Sequence, residues 1–232
     1  MFLAIHEIRP PMKTNSDLIS INLVEDLIYT YEGSAHLKDL NTGKYLIGNL
    51  ANAKKVGLSK PEDVYGLTVR DLDQHMSKNW GNLATEIEQF DNQIKFSQKF
   101  IIDKNRVFLT PSGEIFVHHM KKYPIITSQN KVCSVLTLNQ NITKEIGIVQ
   151  LWFMYRNLNR YKTKKLTILN FLTYLKVDKF FYEIPTEAEL IVMLTKQMKV
   201  TVKEIALHLH LSPKTIETHL AILRAKLKIE LN

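Results

Sequence analysis

The chemically most telling residues lie within Val200–Lys228: polar and basic side chains set on the back of a short apolar stripe. Ile216, Leu220, Leu223 and Leu227 are spaced 4, 3 and 4, which predicts one amphipathic helix. Lys214, Thr218, Ala221 and Ala225 fall opposite that stripe. Glu217 and Arg224 flank them on one side, Thr215, His219 and Lys226 on the other. Cations, hydroxyls and small residues on one helix face can meet phosphates and base edges.

The elements that must position this face are also legible. Thr201 and Glu204 form a capping box, and Ile205, Leu209 and Leu211 predict a preceding helix of about two turns. Leu211 closes a tight turn, and Ser212-Pro213 restarts the chain with an N-cap serine and a proline at the first helical position. Two helices joined this way suit a helix-turn-helix whose second helix enters the DNA major groove. An αα-hairpin buried in a larger helical domain is the plainer alternative.

Lys203-Glu204-Ile205-Ala206, Leu211-Ser212, Lys214-Thr215-Ile216-Glu217, His219 and Lys226-Leu227 together resemble the LuxR-type helix-turn-helix of bacterial transcription regulators. The resemblance implies that Glu217, Thr218 and Ala221 face bases. It implies that Lys203, Lys214, Thr215 and His219 serve mainly phosphates, with Ser212 and Arg224 in the same DNA-binding set. Two departures stand out. Lys196–Val200 lacks the family's usual glycine, and the usual fourth, dimerising helix has no counterpart before Asn232. Pairing of two copies is therefore expected to rest elsewhere.

Enzyme constellations are absent from the sequence: no glycine-rich phosphate loop, no nucleophile elbow, no paired Cys or His-x-x-x-His spacing. No catalytic or metal site is expected. His118-His119 reads as strand, where neighbours point to opposite faces and cannot easily share a metal. The lone Cys133 leaves no internal disulfide and fits a reducing cytoplasm. No apolar run approaches about 18 residues and no secretory signal opens the chain, so no membrane association is expected.

The net charge of +8 is uneven. Lys plus Arg against Asp plus Glu stands at 16 to 15 over residues 1–143, 8 to 3 over 144–185, and 7 to 5 over 186–232. The surplus in the C-terminal half is consistent with a polyanion such as duplex DNA, though a plain solvated basic face has the same composition.

Upstream, Leu27–Tyr31 is rich in strand formers, and His36–Leu40 with Lys44–Ile47 flank the turn Asn41-Thr42-Gly43. Short helical pieces follow, then Leu83, Ile87, Phe90 and Ile94 mark a longer helix. Lys99–Leu109, Glu114–Ile126 and Lys131–Leu138 read as a three-stranded meander. An antiparallel sheet with helices is expected, and the order resembles a PAS sensor domain over about residues 20–143. Leu37–Tyr45, Asn49, Gly57, Pro61-Glu62-Asp63, Gly66, Asp71-Leu72 and Ile142-Thr143 carry the likeness, while Asn141 stands where the family has an acid. The resemblance implies a small-molecule pocket, which Leu83, Ile87 and Phe90 would line; the same stripe also suits plain core. Haem and flavin are disfavoured, because Asn82–Ile94 holds no histidine and Cys133 lies on a strand, leaving only His75 nearby.

Residues 144–182 are expected to form a helical connector between the sensor and residues 183–232. Its apolar run Ile146–Tyr155 exceeds what one exposed helix keeps, so it is expected to form a homodimer interface anchored by Trp152 and Phe153; the competing reading is that these residues only cover the sensor domain of their own chain. Arg156, Arg160, Lys162, Lys164 and Lys165 form a basic knot beside Tyr161. The fold class expected is α+β: a PAS-like sheet, a helical connector and an all-α helix-turn-helix. The function expected is signal-responsive transcription regulation on duplex DNA. The rival is a protein-interaction antagonist whose C-terminal domain does not bind DNA.

Overall fold

The computed structural model describes residues 15–159, 162–198 and 200–228, with side chains apart from those of 15–21 and 77–79. The expectations for Met1–Pro11, Arg160, Tyr161 and the segment after Lys228 lie outside those residues. The chain forms two compact units, residues 1–106 with 118–141, and residues 107–117 with 142–232.

The first unit is an antiparallel five-stranded sheet in the order β2-β1-β5-β4-β3. Its strands are β1 (Ser34–Asp39), β2 (Tyr45–Gly48), β3 (Ile101–Leu109), β4 (Ile115–Ile126) and β5 (Val132–Asn141), of which Val107–Val117, the ends of β3 and β4, belong to the second unit. The Asn41-Thr42-Gly43 turn is closed by Asp39, whose carboxylate accepts from the amides of Asn41 and Thr42, with Gly43 at φ 71°. Between β2 and β3 lie α2 (Leu50–Lys55), α3 (Val69–Trp80) and α4 (Leu83–Ser97).

Strand alternation sorts the sheet into two unlike faces. Ala35, Leu37, Leu136 and Leu138 form an apolar face that packs with Ile28, Val24 and Tyr31. Those last three show why Leu27–Tyr31 is no strand, contrary to expectation: Leu27–Thr30 ends α1 (Asn15–Thr30), and Tyr31 follows it directly. Val24, Ile28 and Tyr31 are spaced 4 and 3, so a helix presents all three to the sheet, and that packing overrides the strand propensity of Ile, Tyr and Thr. The other face carries His36, Lys38, His118 and Lys122, all buried. Gly33, just before β1, comes so close to β5 that an added Cβ would lie 2.2 Å from the Asn139 carbonyl oxygen.

The second unit is built on α5 (Ile148–Leu158), α6 (Lys164–Tyr174), α7 (Glu187–Lys196), α8 (Val202–Leu209) and α9 (Pro213–Lys226). Leu109, Ile115 and Val117 from the β3–β4 hairpin join Leu151, Trp152, Tyr155, Phe171, Leu190 and Leu223 in one core. Thr143 ties this hairpin to the start of the helical part, its hydroxyl accepting from the Val117 amide at 2.8 Å.

This core corrects one expectation. Trp152 is 1 % exposed and sits edge-on to Phe171 at 5.2 Å, so it is committed to its own chain and cannot anchor a dimer. Phe153 is partly exposed, with the Arg156 guanidinium 5.2 Å above its ring. The buried part of the apolar run, Leu151, Trp152 and Tyr155, is covered by α6, α7 and the hairpin of its own chain.

Candidate nucleic-acid interface

The outward face of α9 is assembled from local signals. Thr201 caps α8: its hydroxyl accepts from the Glu204 amide, and Glu204 returns to the Thr201 amide at 2.6 Å. That reciprocal bonding and the Thr201 hydroxyl hold the Glu204 carboxyl below its usual range. His210 then takes a left-handed conformation, φ 52°, which turns the chain sharply, and the Leu211 amide bonds back to the Ala206 carbonyl. Ser212 caps α9 by accepting from the Thr215 amide at 3.0 Å, and Pro213 opens the helix.

Apolar packing fixes the angle between these helices. Ile205, Ala206 and Ile216 bury against Val192 of α7, with Leu209 and Leu220 at the edge. Leu223 reaches the larger core of the unit, and Leu227 pairs with Phe181 in an antiparallel bridge. With the stripe Ile216, Leu220, Leu223 and Leu227 turned inward, the opposite face is outward. Lys203, Ser212, Lys214, Glu217, Thr218, Ala221 and Arg224 are exposed, and Thr215 and His219 are half-buried.

The side chains on this face are not equally free. The Ser212 hydroxyl is engaged in the cap and lies 2.8 Å from that of Thr215. Thr218 donates to the Lys214 carbonyl at 3.0 Å, which leaves its oxygen lone pairs and methyl outward. His219 turns Nδ1 inward, buried and without a partner among the described residues. The geometry therefore singles out Lys203, Lys214, Glu217, Thr218, Ala221 and Arg224 as the surface open to a partner.

Lys226, expected on a flank of the outward face, instead fixes the far end of α9. Its ammonium pairs with Glu189 at 3.0 Å and Glu183 at 3.1 Å. Glu189 also accepts from the Thr186 amide at the start of α7, so one carboxylate joins the α7 cap to the last turn of α9. The Thr186–Glu189 capping box is a local pattern; the tie to Lys226, 37 residues on, is not.

In the first unit the sequence-predicted pocket residues are placed differently from one another. Leu83 is buried, while Ile87 and Phe90 are half-buried. The Arg106 guanidinium lies 4.9 Å over the Phe90 ring and pairs with Asp103 at 3.3 Å and Glu86 at 3.5 Å. The buried residues of α4 beyond Leu83 and Ala84 are Asp91 and Ile94.

Asp91 is the residue that sequence reasoning missed, and it bonds both Lys38 and Lys122, which are buried. Burial pushes the Asp91 carboxyl up, but the two ammonium groups outweigh it and hold it below the usual range. Lys122 is brought down to about 8 by burial, against the pull of Asp91. Lys55 is brought down to about 7 by burial, then by Arg106 and Lys122. Its ammonium lies 3.5 Å from Nε2 of His118. His118 and His36 are both held well below the ordinary histidine range, first by burial and then by these lysines. His119 faces the other way, accepting at Nδ1 from the Asn105 amide. Among the described residues no three His, Cys, Asp or Glu side chains are grouped to hold a metal, and no helix is long and apolar enough to cross a membrane.

The molecule thus combines a PAS-like antiparallel sheet unit with a helix-turn-helix unit. Residues 186–230 match the family model of bacterial regulatory proteins, luxR family, and this segment is a LuxR-type helix-turn-helix domain. No curated protein sequence matches the chain. Many solved structures are similar to it, among them the following three. The VqmA–ligand–DNA complex of Vibrio cholerae is 22 % identical, covering 93 % of this chain and 83 % of that one, with a TM-score of 0.46. A phage VqmA–DPO complex is 20 % identical over 90 % of this chain and 81 % of that one, TM-score 0.47. The PAS domain of Bordetella pertussis BvgS is 16 % identical over 62 % of this chain and 99 % of that one, TM-score 0.47.

Proposed function

We propose that this chain is a ligand-responsive transcription regulator that binds duplex DNA through α9 and senses a small molecule with its PAS-like unit. The carrying observation is the outward face of α9, with Lys214, Glu217, Thr218 and Ala221 exposed in a segment of LuxR type. Glu217, Thr218 and Ala221 read base edges in the major groove. Lys203, Lys214 and Arg224 contact phosphates, while Ser212, Thr215 and His219 shape the turn that presents them. A single helix-turn-helix covers few base pairs, so two copies act together on paired half-sites. The PAS-like unit, with Lys38, Lys122, His36 and His118 buried on one face of its sheet, takes a polar small molecule. The chain works in the cytoplasm, where DNA is accessible, and carries no catalysis of its own.

Binding of full-length protein to labelled duplex libraries tests this reading. Thr218→Ala or Glu217→Ala is expected to reorder the preferred sequences, at a cost of about 1–3 kcal/mol on the best site. Lys214→Ala is expected to weaken all sequences alike and lower the salt slope by about one. An unchanged ranking in the Thr218 and Glu217 variants would refute the groove assignment. Absence of any salt-dependent DNA retention would favour a protein-interaction antagonist instead.

A further inference from the structure

The second unit contains a cleft that DNA reading does not use. It has a volume of about 230 Å³, with Trp152 and Ile168 as its apolar lining and Arg156, Lys162, Lys164 and Glu187 as its charged one. Trp152 is 1 % exposed, and its indole N–H has no acceptor among the described residues.

The electrostatics identify the charge that suits an occupant of the cleft. Three cations line the cleft against one carboxylate. Glu187 is bonded to Arg156 at 2.5 Å and lies 3.9 Å from Lys164, and Lys162 makes no ion pair among the described residues. The first residues of α6 and α7, Lys164 and Glu187, both line the cleft, so two helix N-termini add their partial positive charge. DNA is a poor source for the anion. The α7 end that holds Glu187 is pinned, through Glu189, to Lys226 in the last turn of α9. Base-reading turns belong to the opposite end of a recognition helix.

We propose that this cleft is a second ligand site, distinct from any sensor pocket, which binds a small organic anion with a flat apolar body. The anionic group is held by Lys162 and Lys164, and the body lies in the cleft beside Trp152 and Ile168. Because the lining comes from α5, α6 and the first turn of α7, an occupant braces the connector helices against the first helix of the LuxR-type segment.

The test is a titration of ¹⁵N-labelled full-length protein with salicylate, followed at the two tryptophan indole resonances, with Trp80→Phe supplying the assignment. Salicylate is expected to shift the Trp152 resonance saturably while Trp80, in the other unit, stays in place. Lys162→Gln combined with Lys164→Gln, both at exposed positions, is expected to weaken the effect about tenfold, and neutral salicylamide to bind about tenfold less well. The proposal is overturned if Trp152 shows no saturable shift up to about 10 mM salicylate. It is equally overturned if the shift survives the lysine substitutions or is reproduced by salicylamide.

Discussion

The two units bury opposite kinds of side chain. The first turns Lys38, Lys122, Asp91, His36 and His118 inward, while the second fills its core with Trp152, Phe171, Leu172, Leu190, Leu194 and Leu223. Removing charges from water costs several kcal/mol each, and packing apolar groups costs nothing comparable. A reader of DNA can keep a plain core because its chemistry lies on its outer face. The first unit instead holds charged and polar groups inside, and its stability depends on how those groups are paired. Each unit holds one buried carboxylate among the described residues, Asp91 in the first and Glu189 in the second, and each contains one of the two tryptophans. The comparison can therefore be broken or sharpened unit by unit in a single urea titration.

The largest effect is expected at Asp91. Asp91→Ala leaves Lys38 and Lys122 buried without their shared counter-charge and should cost about 3–5 kcal/mol. The loss should be read at Trp80 and not at Trp152. If both tryptophans report the same shift, the units are one cooperative block and the contrast fails. Replacing all three, Lys38→Met with Asp91→Leu and Lys122→Met, should restore most of the stability while abolishing any response to a polar ligand.

The next effect concerns pH. Lys55 is lowered from 10.5 to about 7 and Lys122 from 10.5 to about 8 in the folded chain. Between the folded and unfolded values the unfolded chain holds a proton that the folded one does not. Stability of the first unit should therefore rise with pH from about 7 to 10.5 and be lowest below 7, where both ammonium groups are charged and buried. A fully differential proton is worth about 1.4 kcal/mol per pH unit. Lys55→Met should flatten the climb of the Trp80 midpoint between pH 7 and 9 and leave the Trp152 midpoint unmoved. A variant that retains the full slope would assign it to another group.

How much of this was legible follows from the range of the signals. The α9 face was legible because a 4-3-4 stripe, the Thr201–Glu204 capping box and the Ser212 cap are short-range features, and α4 was found by the same period. Leu27–Tyr31 misled because strand propensity was weighed without the sheet it packs on. Asp91 was invisible in a stripe search, since its partners lie 53 and 31 residues away and no local pattern joins them. Trp152 shows a third case. The excess of apolar residues correctly required a cover, but the cover includes Leu109, Ile115 and Val117, distant residues on a hairpin that the sequence assigned to the sensor alone.

The smallest effect is expected at the second unit's own carboxylate. Glu189 accepts from the Thr186 amide at 2.8 Å and from Lys226 at 3.0 Å, so its geometry parallels that of Asp91. Its setting does not, because Lys226 is shared with Glu183, whose side chain is 69 % exposed, and water screens the pair. Burial pushes the Glu189 carboxyl up, but the Thr186 amide and Lys226 outweigh it and hold it below 4.5. A carboxyl depressed in the folded state adds stability above its unfolded value and loses it as pH falls through the folded one. Glu189→Gln keeps an acceptor for the α7 cap and removes only the charge. It should cost about 0.5–1 kcal/mol at pH 7, read at Trp152, with the difference from the parent shrinking toward pH 3. If Glu189→Gln instead costs as much as Asp91→Ala, the second unit depends on a buried charge as heavily as the first, and the contrast between them is one of position rather than kind.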